Sequence, residues 1–301
     1  DGGRVQLALA NFSSDDASVA VNAVVVGGGD ALAQTVRIPS QGVEVVDLTT
    51  RVRLGSDFAV IATARDVDAI AEVPAAERFQ LDVTDSQSIK NLAAAVAGPL
   101  DVLVNAAGAP LVSCPIEHHP LSDLREQLEV NYLGTVRMVQ AFVGGMRAAG
   151  RGHIVNIGSI TGKVAQPLRG AANASKFALE GVCEALHYEL HHFGVEVTLV
   201  EPGATENQPG KVKYALRDAA PDYLPLFDQF DRAEAGLTAS VAKQTPAMVA
   251  KAVADLVDTP AGTRPLRLQL GGDADKVMAV RRAEGDAEFE RQMRAMLGIT
   301  W

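Results

Sequence analysis

From residue 57 onward the chain repeats one rhythm, a short apolar run followed by a longer stretch of helical spacing, and this alternation constrains the fold more than any other feature. Residues 58–62, 79–83, 102–104, 153–157 and 195–200 are apolar and of strand length. Between them lie helical stretches, chiefly 121–149 and 171–193, the second rich in Ala, Leu and Glu. Strands that alternate with helices imply right-handed crossovers and a parallel sheet covered on both faces. The expected fold class is therefore α/β, a doubly wound parallel sheet, with residues 266–270 adding a last strand. Residues 203–245 carry Pro, Gly and aromatic side chains without a steady period, which suits a long loop with short helices over a site. Beyond Gly272 the charged pattern reads as a surface helix or a pair of them.

The first 56 residues differ in character and are expected to form a β-rich segment, with residues 57–301 as the main domain. Val5, Leu7 and Leu9 alternate with other residues, and Ser13, Ser14, Asp15 and Asp16 supply a turn. A second run, 19–26, ends at Gly27-Gly28-Gly29-Asp30, and two further β-rich pieces, 35–38 and 43–48, flank Pro39-Ser40-Gln41-Gly42. Regular turn spacing suggests an antiparallel meander.

Composition narrows the partners. A formal net charge of −10 argues against a nucleic-acid surface, which needs clustered Lys and Arg. No apolar run approaches the roughly 20 residues that span a bilayer, so no membrane partner is expected. Cys114 and Cys183 lack any metal or redox spacing and read as reduced thiols. The chain opens on Asp1 with no signal-peptide pattern, and cytoplasm is the expected compartment. His187 and His191 have a zinc-compatible spacing, but no third ligand is recognisable and no metal is assigned.

Several segments carry a chemical reading in a fixed order. Val60-Ile61-Ala62-Thr63-Ala64-Arg65-Asp66 reads as a strand and the turn after it, and Leu81-Asp82-Val83-Thr84-Asp85 as the end of the next strand. Asp101-Val102-Leu103-Val104-Asn105-Ala106-Ala107-Gly108, Val130-Asn131-Tyr132-Leu133-Gly134, Ile154-Val155-Asn156-Ile157-Gly158-Ser159 and Glu201-Pro202-Gly203 follow. In this order the segments resemble the short-chain dehydrogenase/reductase family over residues 57–271. The resemblance implies a Rossmann-like fold, an NADP or NAD cofactor and a small-molecule carbonyl or alcohol ligand. It implies that Asp82 and Val83 hold the adenine and that Asn105 steadies the sheet beside the cofactor. Asn131, Ser159 and Lys176 match the active-site Asn, Ser and Lys, with Lys176 also on the ribose, and Pro202 and Gly203 form the turn beneath the nicotinamide. Arg65 is placed to meet a 2′-phosphate and favour NADP, although an arginine exposed at a strand end is the plainer account. The helices over 121–149 and 171–193 build dimers and tetramers in that family, so a homodimer or homotetramer is expected.

Two departures bear on activity. The family's tyrosine lies four residues before the active-site Lys, and here that position is Ala172. The phenol passes a proton to or from the substrate oxygen, its pKa lowered by the neighbouring ammonium, and a methyl group does neither. Tyr188 lies twelve residues past Lys176 on one helix, about 18 Å away at 1.5 Å per residue, and is out of reach. The family also opens with a strand and a Thr-Gly-x-x-x-Gly-x-Gly loop whose backbone N–H groups receive the pyrophosphate. Counting back from Phe58 reaches residues 39–46, which hold one glycine, while Gly27-Gly28-Gly29 reads better as a hairpin turn than as a phosphate loop.

Weak or absent cofactor binding and impaired hydride transfer are the leading expectation, as in a natural pseudoenzyme or a chimera. Two competing readings are a working NADP-dependent alcohol/carbonyl oxidoreductase with a rescued site, and a non-catalytic binding or scaffold protein. The parallel sheet needs a central strand from the N-terminal segment. Residues 22–26 are the expected source, since the nine residues from 49 to 57 are too few for a crossover after 43–48.

Overall fold

The computed structural model describes residues 5–9, 25–26, 58–71, 73, 75, 77–205, 212–240, 244–283 and 285–298. The expected strand–helix alternation is present. In chain order the main strands are β1 (Val5–Leu9), β2 (Val25–Val26), β3 (Phe58–Ala64), β4 (Glu77–Gln80) and β5 (Val102–Asn105). They are followed by β6 (Leu111–Ser113), β7 (Gly152–Ile157), β8 (Val195–Pro202), β9 (Val212–Ala215) and β10 (Arg267–Leu270). The helices are α1 (Ser86–Ala95), α2 (Leu121–Leu128), α3 (Thr135–Ala149), α4 (Gly170–Leu190), α5 (Leu224–Ser240), α6 (Pro246–Asp258), α7 (Gly272–Ala283) and α8 (Asp286–Leu297).

Eight strands form one sheet in the order β10-β8-β7-β5-β1-β3-β2, with β4 also on β3. All the pairings are parallel except that of β2 with β3. β6 and β9 make a separate parallel pair. The centre of the large sheet is buried on both faces, and its strands are accordingly near-continuous apolar runs. Leu103, Ile154 and Leu199 are wholly buried, and α3 lays Met138, Val139, Phe142 and Met146 into the same core.

The central strand corrects the expectation. It is β1, paired with β3 from Val5↔Phe58 to Leu9↔Ala62 and with β5 at Leu7↔Val102 and Ala8↔Leu103. Residues 22–26 do not take that place, since Val25 and Val26 run antiparallel against Val60 and Ala59 on the other edge of β3. β1 is therefore no part of an antiparallel meander. The expected pieces over 35–38 and 43–48 lie outside the described residues.

Local signals set the helix ends. Asp85 caps α1 by accepting the Gln87 N–H at 2.8 Å, and Thr245 caps α6, with Pro246 in its first turn. Gly150 closes α3 in the left-handed region at φ 67°, where a side chain would be strained. The helical stretch over 121–149 is not continuous. Residues Glu129–Gly134 form a π turn between α2 and α3.

Candidate active site

The carboxyl ends of the parallel strands gather the expected site residues, as the topology of an open α/β sheet requires. Arg65 follows β3, Asn105 ends β5, Ser159 lies just past β7, and Pro202 ends β8. Asp82 and Val83 sit in the turn after β4, because that strand ends at Gln80 and not at residue 83 as expected.

Asn131 is seated in the π turn, a distortion often found at functional positions. It is 3% exposed and fully engaged: Oδ1 accepts the Ala109 N–H at 2.8 Å, and Nδ2 donates to Gln127 Oε1 at 2.9 Å and to Ser175 Oγ at 2.8 Å. The π turn fits closely against the segment that follows β4. A Cβ on Gly134 would stand 2.5 Å from Val83 Cγ2, so only glycine ends the turn there without displacing Val83.

Ser175 passes the network on by donating to the Ala172 carbonyl at 2.8 Å. Ala172 and Lys176 lie one turn apart on α4, and Lys176 Nζ donates to the Ile157 carbonyl at 2.9 Å, two residues before Ser159. Ser159 caps the short 3₁₀ turn Ile160–Gly162 and accepts the Thr161 N–H at 3.2 Å, which leaves its hydroxyl proton to donate elsewhere. That turn rests on α4 without room to spare, because a Cβ on Gly162 would be 2.9 Å from the Lys176 carbonyl.

Beside this group, Asn105 Nδ2 donates to Asn156 Oδ1 at 2.8 Å, and Asn156 in turn donates to Cys183 Sγ at 3.1 Å. Burial pushes the Cys183 thiol up to about 12, so it is a packed, protonated sulfur. Asn105 Oδ1 is buried with no hydrogen-bond partner among the described residues. Asp82 Oδ1 accepts the Thr84 N–H and hydroxyl at 2.8 and 2.7 Å, and its own N–H donates to Ser88 Oγ. Gly203 N–H donates to the Leu270 carbonyl at 2.8 Å, fixing the turn after Pro202 to the edge strand.

Tyr188 and Tyr223 do not stand in for the absent phenol. Tyr188 is 70% exposed on α4, and Tyr223 donates its hydroxyl to Glu117 at 2.7 Å. That bond and the Glu117 charge raise the Tyr223 phenol above its ordinary range, the opposite of what a proton donor near neutrality needs. Sequence reasoning missed Gln127, Ser175 and Asp273. Ser175 was within reach, since a hydroxyl next to Lys176 and one turn from Ala172 faces the same network. The rings of His187 and His191 lie 5.9 Å apart, and among the described residues no three His, Cys, Asp or Glu side chains are placed to share a metal.

Such a parallel sheet with helical crossovers defines a doubly wound α/β protein. The family model for short chain dehydrogenases matches residues 22–214, and the chain belongs to that family. It is 41% identical over 208 residues to rat estradiol 17-beta-dehydrogenase 1, across 62% of this chain and 60% of that one. Human retinol dehydrogenase 8 is 33% identical over 240 residues, 73% of this chain and 76% of the relative. The chain spans only 60%, 49% and 53% of the rat, mouse and human steroid dehydrogenases it matches. A short-chain dehydrogenase from Streptomyces avermitilis superposes with a TM-score of 0.63 at 30% identity, over 80% of this chain and 89% of that one. A metagenomic short-chain oxidoreductase in complex with NADP gives 0.54 at 25% identity, over 70% and 84%. Among the described residues no helix is long and apolar enough to cross a membrane.

Proposed function

We propose that this chain is a short-chain dehydrogenase of the NADP-dependent alcohol/carbonyl type whose hydride transfer is impaired. The observation that carries the reading is Ala172, one turn ahead of Lys176 on α4, in a frame where Asn131, Ser159 and Lys176 keep their places. A nicotinamide dinucleotide, when bound, supplies or receives the hydride. Ser159 then donates to the substrate oxygen, Lys176 meets the ribose, and Asn131 holds α2 and α4 in register through Gln127 and Ser175. This polarises a carbonyl but moves no proton to it, since Ala172 offers no acid.

The cofactor side is uneven. In this reading Arg65, Asp82, Val83, Asn105, Lys176, Pro202 and Gly203 hold the adenosine and the nicotinamide, and the buried Asn105 Oδ1 without a partner among the described residues supports a site beside a bound group. After β1 the sequence runs Ala10-Asn11-Phe12-Ser13-Ser14-Asp15-Asp16, with no glycine before Gly27. Gly27-Gly28-Gly29 follows β2, whose antiparallel direction ends it at the rim opposite Asn105 and Ser159. The glycines of a pyrophosphate-binding loop are therefore wanting in the sequence after β1. Weak NADP binding follows, and Arg65 supports NADP over NAD.

The substrate class is a hydrophobic alcohol or ketone, by likeness to the steroid and retinol dehydrogenases. Exposed Leu121, Leu128, Leu133 and Phe177 on the α2–α4 surface support a homodimer or homotetramer, and cytoplasm is the compartment that fits. The test is titration of NADPH into the purified chain by calorimetry and nicotinamide fluorescence. The expected dissociation constant lies above roughly 100 μM. A low-micromolar value would overturn the reading of the N-terminal segment.

A further inference from the structure

We infer that Asp273, at the start of α7, is a positioning residue that fixes the Pro202-Gly203-Ala204 turn and couples it to the Ser159 loop. The inference rests on the proposed reading of that turn as the floor of a nicotinamide site.

Asp273 is 5% exposed, and its Oδ2 accepts the Ala204 N–H at 2.5 Å. A bond from a half-buried backbone N–H to a carboxylate is short and directional, so it locks the peptide that follows Gly203. The approach leaves no room for another residue type. A Cβ on Gly203 would lie 2.2 Å from Asp273 Oδ1, and one on Gly271 would lie 2.7 Å from the same oxygen. Gly271 also adopts φ +105°, which turns the chain from β10 into α7 and brings the carboxylate back over the turn. Gln244 Nε2 secures the same corner by donating to the Leu270 carbonyl at 2.6 Å.

α7 holds a second segment of the site with its next residues. Ala274, Val277 and Met278 share one buried cluster with Ile160 and Val164, one and five residues after Ser159. One helix thus grips both the turn that ends β8 and the loop that carries the carbonyl-polarising hydroxyl. Packed interiors transmit such displacements because they close-pack in discrete arrangements. Loss of the carboxylate is expected to loosen both segments together.

Hydrogen exchange read by mass spectrometry on the full chain tests this, comparing the parent with Asp273→Ala and Asp273→Asn. The alanine variant is expected to speed exchange by on the order of tenfold in peptides covering both 199–205 and 157–165, with peptides over 102–105 unchanged. The asparagine variant keeps an acceptor oxygen and is expected to restore most of the protection. No change at 199–205, a change confined to 199–205, or a uniform rise across the sheet would each overturn the proposal. Repeating the exchange with saturating NADPH separates the two claims. If NADPH protects neither segment in the parent while the variants behave as stated, the nucleotide reading fails and the role of Asp273 stands.

Discussion

His153 is held in β7 with no exposure to solvent, its Nε2 3.0 Å from Thr198 Oγ1 and its Nδ1 without a partner among the described residues. Thr198 donates its own proton to the Pro265 carbonyl at 2.7 Å, so Nε2 carries the proton of a neutral ring. Burial, helped by the Arg264 charge, pushes the imidazole down to about 3. The unfolded chain then binds a proton near pH 6.5 that the native one refuses, and stability falls as pH drops from about 6.5 towards 3. Urea titrations of the parent and His153→Leu across that range should show a shallower acid limb in the variant. Parallel limbs would place the acid sensitivity elsewhere. At the same scale, the segments that carry Asn131, Ser159, Ala172 and Lys176 stand out in the sequence because they are short and ordered. Ser175 to Asn131 spans 44 residues and Asp273 to Ala204 spans 69, and no local pattern announces such a bond.

Between elements, a set of charges built around the buried Glu180 and Glu201 ties α4 to the sheet edge and to the Ser159 loop. Glu180 Oε2 receives Lys163 Nζ at 2.6 Å and Arg267 Nε at 3.0 Å, while Arg267 Nη2 also reaches Glu184 at 2.8 Å. Glu201, 2% exposed at the end of β8, lies 3.9 Å from Lys163 and 3.5 Å from Arg267. Burial and the neighbouring Glu180 push the Glu201 carboxyl up to about 7 against the pull of Lys163 and Arg267. A raised acid contributes stability that is present below pH 4.5 and lost as pH rises to about 7. Glu201→Gln should therefore gain thermal stability over the parent across that window and hold the gain above it. A variant that instead loses ground as pH rises would show that ionised Glu201 is a net stabiliser. Element positions were legible where short apolar runs mark strands, as at β5, β7 and β8. The π turn within 121–149 was not, because the apolar spacing runs through it while its cause, Asn131 reaching Ala109 and Ser175, is tertiary.

For the whole molecule, the doubly wound sheet followed from alternation alone, and the central strand did not. In β1 the polar Gln6 interrupts five residues that otherwise resemble a buried strand, and the long stretch before β3 hides their pairing. A five-residue run that alternates reads as a half-buried antiparallel strand unless its neighbours are known. The placement of β1 sharpens the account of function, because it fixes where a phosphate-binding loop belongs and finds Ala10-Asn11-Phe12-Ser13 in that stretch of sequence. On the proposed reading, catalysis lacks two things, the phenol at position 172 and a glycine-rich loop for the hydride donor. Neither suffices alone, since an acid cannot act on a donor that is not positioned. The deciding measurement is NADPH oxidation against a panel of ketones and aldehydes. It compares the parent, Ala172→Tyr, a form with a Thr-Gly-x-x-x-Gly-x-Gly loop built after β1, and the two changes combined. Turnover is predicted only in the combined form, exceeding the loop-only form by roughly 10²- to 10⁴-fold. Strong turnover in the parent, or in Ala172→Tyr alone, would contradict the account.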